Sequence, residues 1–114
     1  MNYLQSEQAS INELGMLSIP LSMQEQSSFK AFNKDEGMIT LVRFSIEGDG
    51  ITLMYHDKTC YEKHKAKKCK HIVVIDELGR VALPREHREE LNISPRDVLV
   101  VSLIDDSTMV VCKE

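Results

Sequence analysis

The sequence predicts a mainly-β domain with short helices, built from two β-β-α-β-β repeats that each supply half of one β-barrel. Three observations lead there. "INELGMLSIP" (residues 11–20) and "IDELGRVALP" (residues 75–84) share Ile, Glu, Leu, Gly and Pro at matching positions, with Asn against Asp. The same order of parts follows each phrase: a polar or charged stretch, a turn, then two runs rich in β-branched and apolar residues. Those runs, "MITLVRFSI" with "ITLMYH" and "VLVVSLI" with "TMVVCK", have strand length and are separated by the turn residues "EGDG" and "DDS". One mismatch stands out: where the second phrase has Arg80, the first has Met16.

Each element then follows from its residues. Gly15 and Gly79 admit the positive φ that a tight reversal between strands requires. Three or four strand residues later, Pro20 and Pro84 end the ladder, because proline has no N–H to give. Its fixed φ suits the first turn of a helix. In the second helix Arg85 and Glu89 form an attractive i, i+4 pair and Glu86 and Glu90 a repulsive one, while Glu86 favours the helix start. Roughly 45 residues with one short helix cannot bury a two-sided core alone. Two copies in one chain are therefore expected to close on each other about a pseudo-twofold axis. The division is a degenerate half at 1–57, a basic linker at 58–70 and a second half at 71–114. A flexible linker of about that length reaches near 20 Å, enough to return the chain across a small barrel.

At 114 residues, 42% hydrophobic and 28% charged, the chain has the makings of one soluble domain with a modest core. Its apolar runs, 72–75 and 98–101, are far too short to cross a bilayer. "MNYLQSEQAS" shows no basic-then-apolar leader, and three cysteines point to free thiols in a reducing compartment, so a cytoplasmic location is expected. The net charge of −4 hides an asymmetry: three basic against eight acidic residues in 1–57, eleven against ten in 58–114. The strongest positive run is "KTCYEKHKAKKCK" at 58–70. Overall acidity excludes indiscriminate nucleic-acid binding, although a local basic patch can still steer a polyanion. No nucleophile elbow, phosphate loop or triad is present, so an enzyme is not expected.

From "IDELGRVALPREHREELNISPRDVLVV" the match becomes specific. The chain closely resembles the SpoVT/AbrB family of transition-state regulators, over residues 72–113 and, in degenerate form, 11–55. The distinctive part is the Asp-x-Leu-Gly-Arg turn followed by a strand and proline. The resemblance implies a swapped-hairpin AbrB-like barrel of two interleaved halves, and a tandem in one chain is similar to the MraZ branch. It also implies a DNA-binding transcriptional regulator acting on double-stranded DNA. Family contacts carried over by position are Arg80 and Arg88, and more loosely Arg85, Lys67, Lys68 and Lys70. The chain departs from the pattern at Glu89, where the family has a second helix arginine, and at Val73 and Val74, where it has a basic pair. His87 replaces an apolar residue, and Asn92 replaces a glycine whose left-handed geometry asparagine tolerates. With the first repeat stripped of basic contacts, a homodimer that sets two second repeats side by side would match a duplex with two half-sites.

Other readings stay open beside these. Arg80 has an alternative role as a salt-bridge partner of Asp76 or Glu77, and Arg85 and Arg88 as part of a solvated helix face. The lysine run serves equally as a soluble linker. Within it, Cys60, His64, Cys69 and His71 are a permissible tetrahedral zinc set, though C-x3-H-x4-C-x-H is not a common frame. Free thiols are the alternative, and no other cofactor is implied. The competing functional class is a protein-interaction or antitoxin-like module that uses the barrel as a scaffold.

Overall fold

The computed structural model describes residues 5–37, 39–56 and 72–114. Its elements run β1 (Gln5–Ser10), β2 (Met16–Ser18), α1 (Leu21–Gln26), β3 (Leu41–Glu47), β4 (Gly50–His56), β5 (Ile72–Val74), β6 (Arg80–Ala82), α2 (Arg85–Glu90), β7 (Val98–Asp105) and β8 (Thr108–Lys113). Each half is thus strand, Gly turn, strand, helix, hairpin, as the repeat predicts.

The halves are joined by exchange. β1 pairs with β7 of the second repeat, and β5 pairs with β3 of the first. The two hairpins meet through β4 and β8, giving an antiparallel sheet in the order β1-β7-β8-β4-β3-β5. Swapping the repeat labels reverses this order and leaves it unchanged, which is a pseudo-twofold arrangement. β2 and β6 form a separate two-stranded ribbon.

A closed barrel is not formed. The six-stranded sheet is open, with β1 and β5 at its ends. Each Gly turn diverts the chain out of an end strand and into the ribbon. Among the described residues, the sheet and ribbon are joined through an isolated Ile11–Leu17 bridge and through the Asn12 and Asp76 N–H groups donating to the Met16 and Arg80 carbonyls, whereas closure needs a continuous ladder.

The core lies between ribbon and sheet. Leu17 and Val81 pair at the ribbon centre and are fully buried, as are Val42, Ile51, Leu53, Leu99, Val101, Leu103, Met109 and Val111 on alternate positions of the hairpins. Ile11 with Ile75 and Ile19 with Leu83 are buried counterparts from the two repeats. Met23 and His87 are another such pair. His87 borders the core with its ring edge-on to Phe44, centroids 6.4 Å apart.

Pro20 and Pro84 occupy the N-cap rather than the first helical turn, with extended ψ of 137°. Their carbonyls accept the first helical bonds, from Met23 and Gln24 and from Arg88. Asn92 ends α2 at φ 54°, the left-handed geometry expected of it. The connection from α1 to β3 (27–40) is twice as long as its counterpart (91–97). The extra residues bury Phe29 and lie against the second Gly turn, where the Phe32 N–H donates to the Asp76 carbonyl at 2.9 Å.

The Gly turns lock across the repeats. The Ile19 N–H donates to the Gly79 carbonyl and the Leu83 N–H to the Gly15 carbonyl, both at 3.0 Å. The helix of one repeat then covers the turn of the other. The Arg88 guanidinium carbon lies 2.5 Å from where a Gly15 Cβ would stand, and the Gln24 amide occupies the same place over Gly79. With φ of +80° at Gly15, alanine there is strained and also clashes. Gly15→Ala should destabilise by about 2–4 kcal/mol in urea unfolding, falling to about 1–2 kcal/mol in an Arg88→Ala background that removes the clash but not the strain.

Candidate nucleic-acid interface

Both turns are built alike. Asn12 Oδ1 accepts the Leu14 and Met16 N–H groups at 2.9 Å each, and Asp76 Oδ1 accepts those of Leu78 and Arg80 at 2.9 and 2.8 Å. The Gly15 N–H donates to the Asn12 carbonyl, and the Gly79 N–H to that of Asp76. An amide and a carboxylate serve this turn equally well, because only one oxygen is needed. The second oxygen is where the copies part: Asp76 Oδ2 takes the Arg80 Nε–H at 2.8 Å.

Arg80 therefore fills the alternative role the sequence allowed, as a salt-bridge partner, yet that role uses only Nε. Its two terminal amino groups have no partner among the described residues. Alternation places Leu17 and Val81 inward, so Met16, Ser18, Arg80 and Ala82 make up the outer face of the ribbon.

The ribbon register distributes the arginines in an unforeseen way. Ser18 opposes Arg80 at one end and Met16 opposes Ala82 at the other. Arg80 thus lies at the end built from the Gly79 turn and α1. Arg85 and Arg88 lie at the end built from the Gly15 turn and α2. The second repeat's basic residues do not gather on one half. Arg88 is held inward, its Nε–H donating to the Leu83 carbonyl at 3.1 Å while its guanidinium covers Gly15. Arg85 is 83% exposed and, among the described residues, pairs with Glu89 at 2.8 Å.

Lys67, Lys68 and Lys70 lie outside the described residues, as do Cys60, His64, Cys69 and His71. Among the described residues no cluster of ligands could hold a metal ion. No helix among the described residues is long and apolar enough to cross a membrane. Cys112 is half-buried beside Gly50, and burial together with the Asp49 charge pushes its thiol up, keeping it protonated at neutral pH.

Sequence reasoning missed Gln24 as the counterpart of Arg88. Its Nε2 donates to the Ile19 carbonyl at 2.9 Å, as Arg88 does to Leu83. Alignment of the two helices, position by position, would have found it. It also missed three leucines at the ribbon ends, Leu14, Leu21 and Leu78, exposed by 78%, 69% and 71%. No family model matches the chain, and neither a curated protein nor a solved structure matches it.

Burial raises the Asp76 pKa, but the Arg80 and Leu78 N–H groups and the Arg80 guanidinium outweigh it, and the net value lies below the ordinary carboxylate one. A depressed folded-state pKa contributes stability that is present above the unfolded value and lost as pH falls through the folded value. Asp76→Asn, which copies Asn12, should keep the turn and cost no more than about 1 kcal/mol at neutral pH, since the pair is part-exposed. In acid titrations followed by urea unfolding, the difference from the parent protein should vanish as pH drops through the lowered carboxylate range.

Proposed function

We propose that this chain is a DNA-binding transcriptional regulator of the AbrB type, with a swapped-hairpin domain as its scaffold. The exchange of β1 and β5 between the repeats supports the scaffold. One observation carries the function: Asp76 anchors Arg80 through Nε alone and leaves two amino groups on the outer face of a two-stranded ribbon. That is the preparation a bidentate donor needs. A guanidinium held by one nitrogen loses little further freedom on meeting a phosphate or the O6 and N7 of guanine. Arg85 adds a charge whose surface pairing with Glu89 is worth a few tenths of a kcal/mol, roughly, and exchanges readily for a phosphate. Lys67, Lys68 and Lys70 extend the same chemistry along the chain. The duplex is occupied rather than altered, and regulation follows from that occupancy.

A second reading has its own observation. Leu14, Leu21 and Leu78 stand exposed at the ribbon ends with Glu13 and Glu77 beside them, which favours a protein-interaction module of the antitoxin kind. Fluorescence anisotropy with a labelled random-sequence duplex separates the two. The regulator reading expects binding at low salt that weakens steeply as salt rises. Arg80→Met should lower the slope of log affinity against log salt by about one while changing stability by no more than about 1 kcal/mol. If Arg80→Met binds like the parent protein but unfolds early, Arg80 serves the turn alone.

A further inference from the structure

We infer that a single chain reads a non-palindromic duplex site, with the base-reading arginine at one end of the β2–β6 ribbon and the phosphate anchor at the other. This rests on the nucleic-acid reading above and adds to it which sites are chosen and how many chains occupy one.

The inference starts from the pseudo-twofold axis, which passes through the Leu17–Val81 pair at the ribbon centre. Around it the backbone is matched bond for bond: two Asx-type turns, two glycine carbonyls accepting from Ile19 and Leu83, and two helices starting after proline. A duplex major groove, about 12 Å wide, admits a two-stranded ribbon of this kind. A dyad in the backbone would by itself favour a dyad in the DNA.

The side chains remove that symmetry at positions 16 and 80 and at 21 and 85, while the exposed Leu14 and Leu78 keep it. At the Gly79 end Arg80 stands on the ribbon face, while α1 beside it begins with Leu21, which carries no charge. At the Gly15 end the ribbon position is Met16, while α2 beside it begins with Arg85. On the ribbon face and the first residue of the adjoining helix, reader and anchor thus stand at opposite ends; Lys30, whose Nζ donates to the Gln24 carbonyl at 2.9 Å, adds a cation on the α1 side. Successive outward positions on a strand are about 7 Å apart, so both ends fall within a few base pairs of one groove. Each end carries an exposed leucine, Leu14 or Leu78, so the difference rests on the ribbon position itself: Arg80 is suited to the acceptor pair of guanine, whereas Met16 offers only apolar contact, which suits a thymine methyl. The two sides of the site are thus asked for different bases by one chain. A second chain is not needed to complete the contacts, because the basic residues already sit at both ends.

Site selection from a random duplex pool tests this, with light scattering on the selected complex for stoichiometry. The expected result is one chain per duplex and an asymmetric consensus, with guanine favoured on one side of the centre only. Arg80→Met should flatten that preference and weaken the best site about ten- to a hundredfold. Arg85→Ala, at a solvent-exposed position, should weaken all sequences evenly and lower the salt slope by about one. Asn12→Asp combined with Met16→Arg copies the second repeat into the first and should make the consensus symmetric; a thermal melt of this variant confirms that it is folded. A palindromic consensus for the parent protein, or two chains on each site, overturns the inference and leaves the DNA reading standing. Absence of binding to any duplex at low salt overturns both.

Discussion

Two backbone hydrogen bonds, Ile19 to Gly79 and Leu83 to Gly15, govern the rest of this structure. Each ties the end of one repeat's ribbon strand to the turn of the other, and each needs a glycine on the accepting side. A side chain there would be strained by a positive φ and would occupy the place taken by Arg88 or Gln24. The bonds set the register of β2 against β6, and the register buries Leu17 on Val81. They also fix where each helix starts. A one-residue slip would turn Leu17 and Val81 to solvent and carry Arg80 into the core.

The same constraint accounts for what the repeats share and where they differ. Positions inside the lock keep their chemistry: the glycines, the prolines, an Asx side chain to close the turn, and a long polar side chain at 24 and 88 that reaches the carbonyl of the residue just before the proline. Positions outside it are free to vary. Met16 against Arg80 and Leu21 against Arg85 change the surface without touching a bond on which the fold depends. Divergence on the surface with identity at the lock is what a single gene product carrying both halves permits, since neither half has to match a copy of itself.

Much of the architecture was legible because it is written in backbone chemistry. Gly15 and Gly79 announce their turns, Pro20 and Pro84 their strand ends, and the β-branched hairpins alternate inward and outward as expected. The open sheet was not legible, because whether a ladder closes depends on the path after each Gly turn and not on any residue type. β1 carries no apolar alternation at all: "QSEQAS" is a strand only because β7 lies beside it. The site was half legible. Arg80 and its tie to Asp76 follow from a four-residue spacing, but its separation from Arg85 and Arg88 follows from an antiparallel register, which spans 64 residues of sequence and leaves no local trace.

The exchange of end strands has a consequence for the birth of the molecule. β1 has no partner until β7 has been made, since Ser10 pairs with Val98 and Gln5 with Leu103. At ordinary rates of synthesis that is a wait of about 5–20 seconds, during which β1 is an unpaired strand beside a growing chain. Long-range pairing of this kind also makes for slow closure once all the parts are present. An apolar β1 would spend that interval as a template for aggregation. Glutamine, serine and glutamate in its place keep the strand hydrated until its partner arrives, so the composition that hides β1 from a reader of the sequence also hides it from other nascent chains.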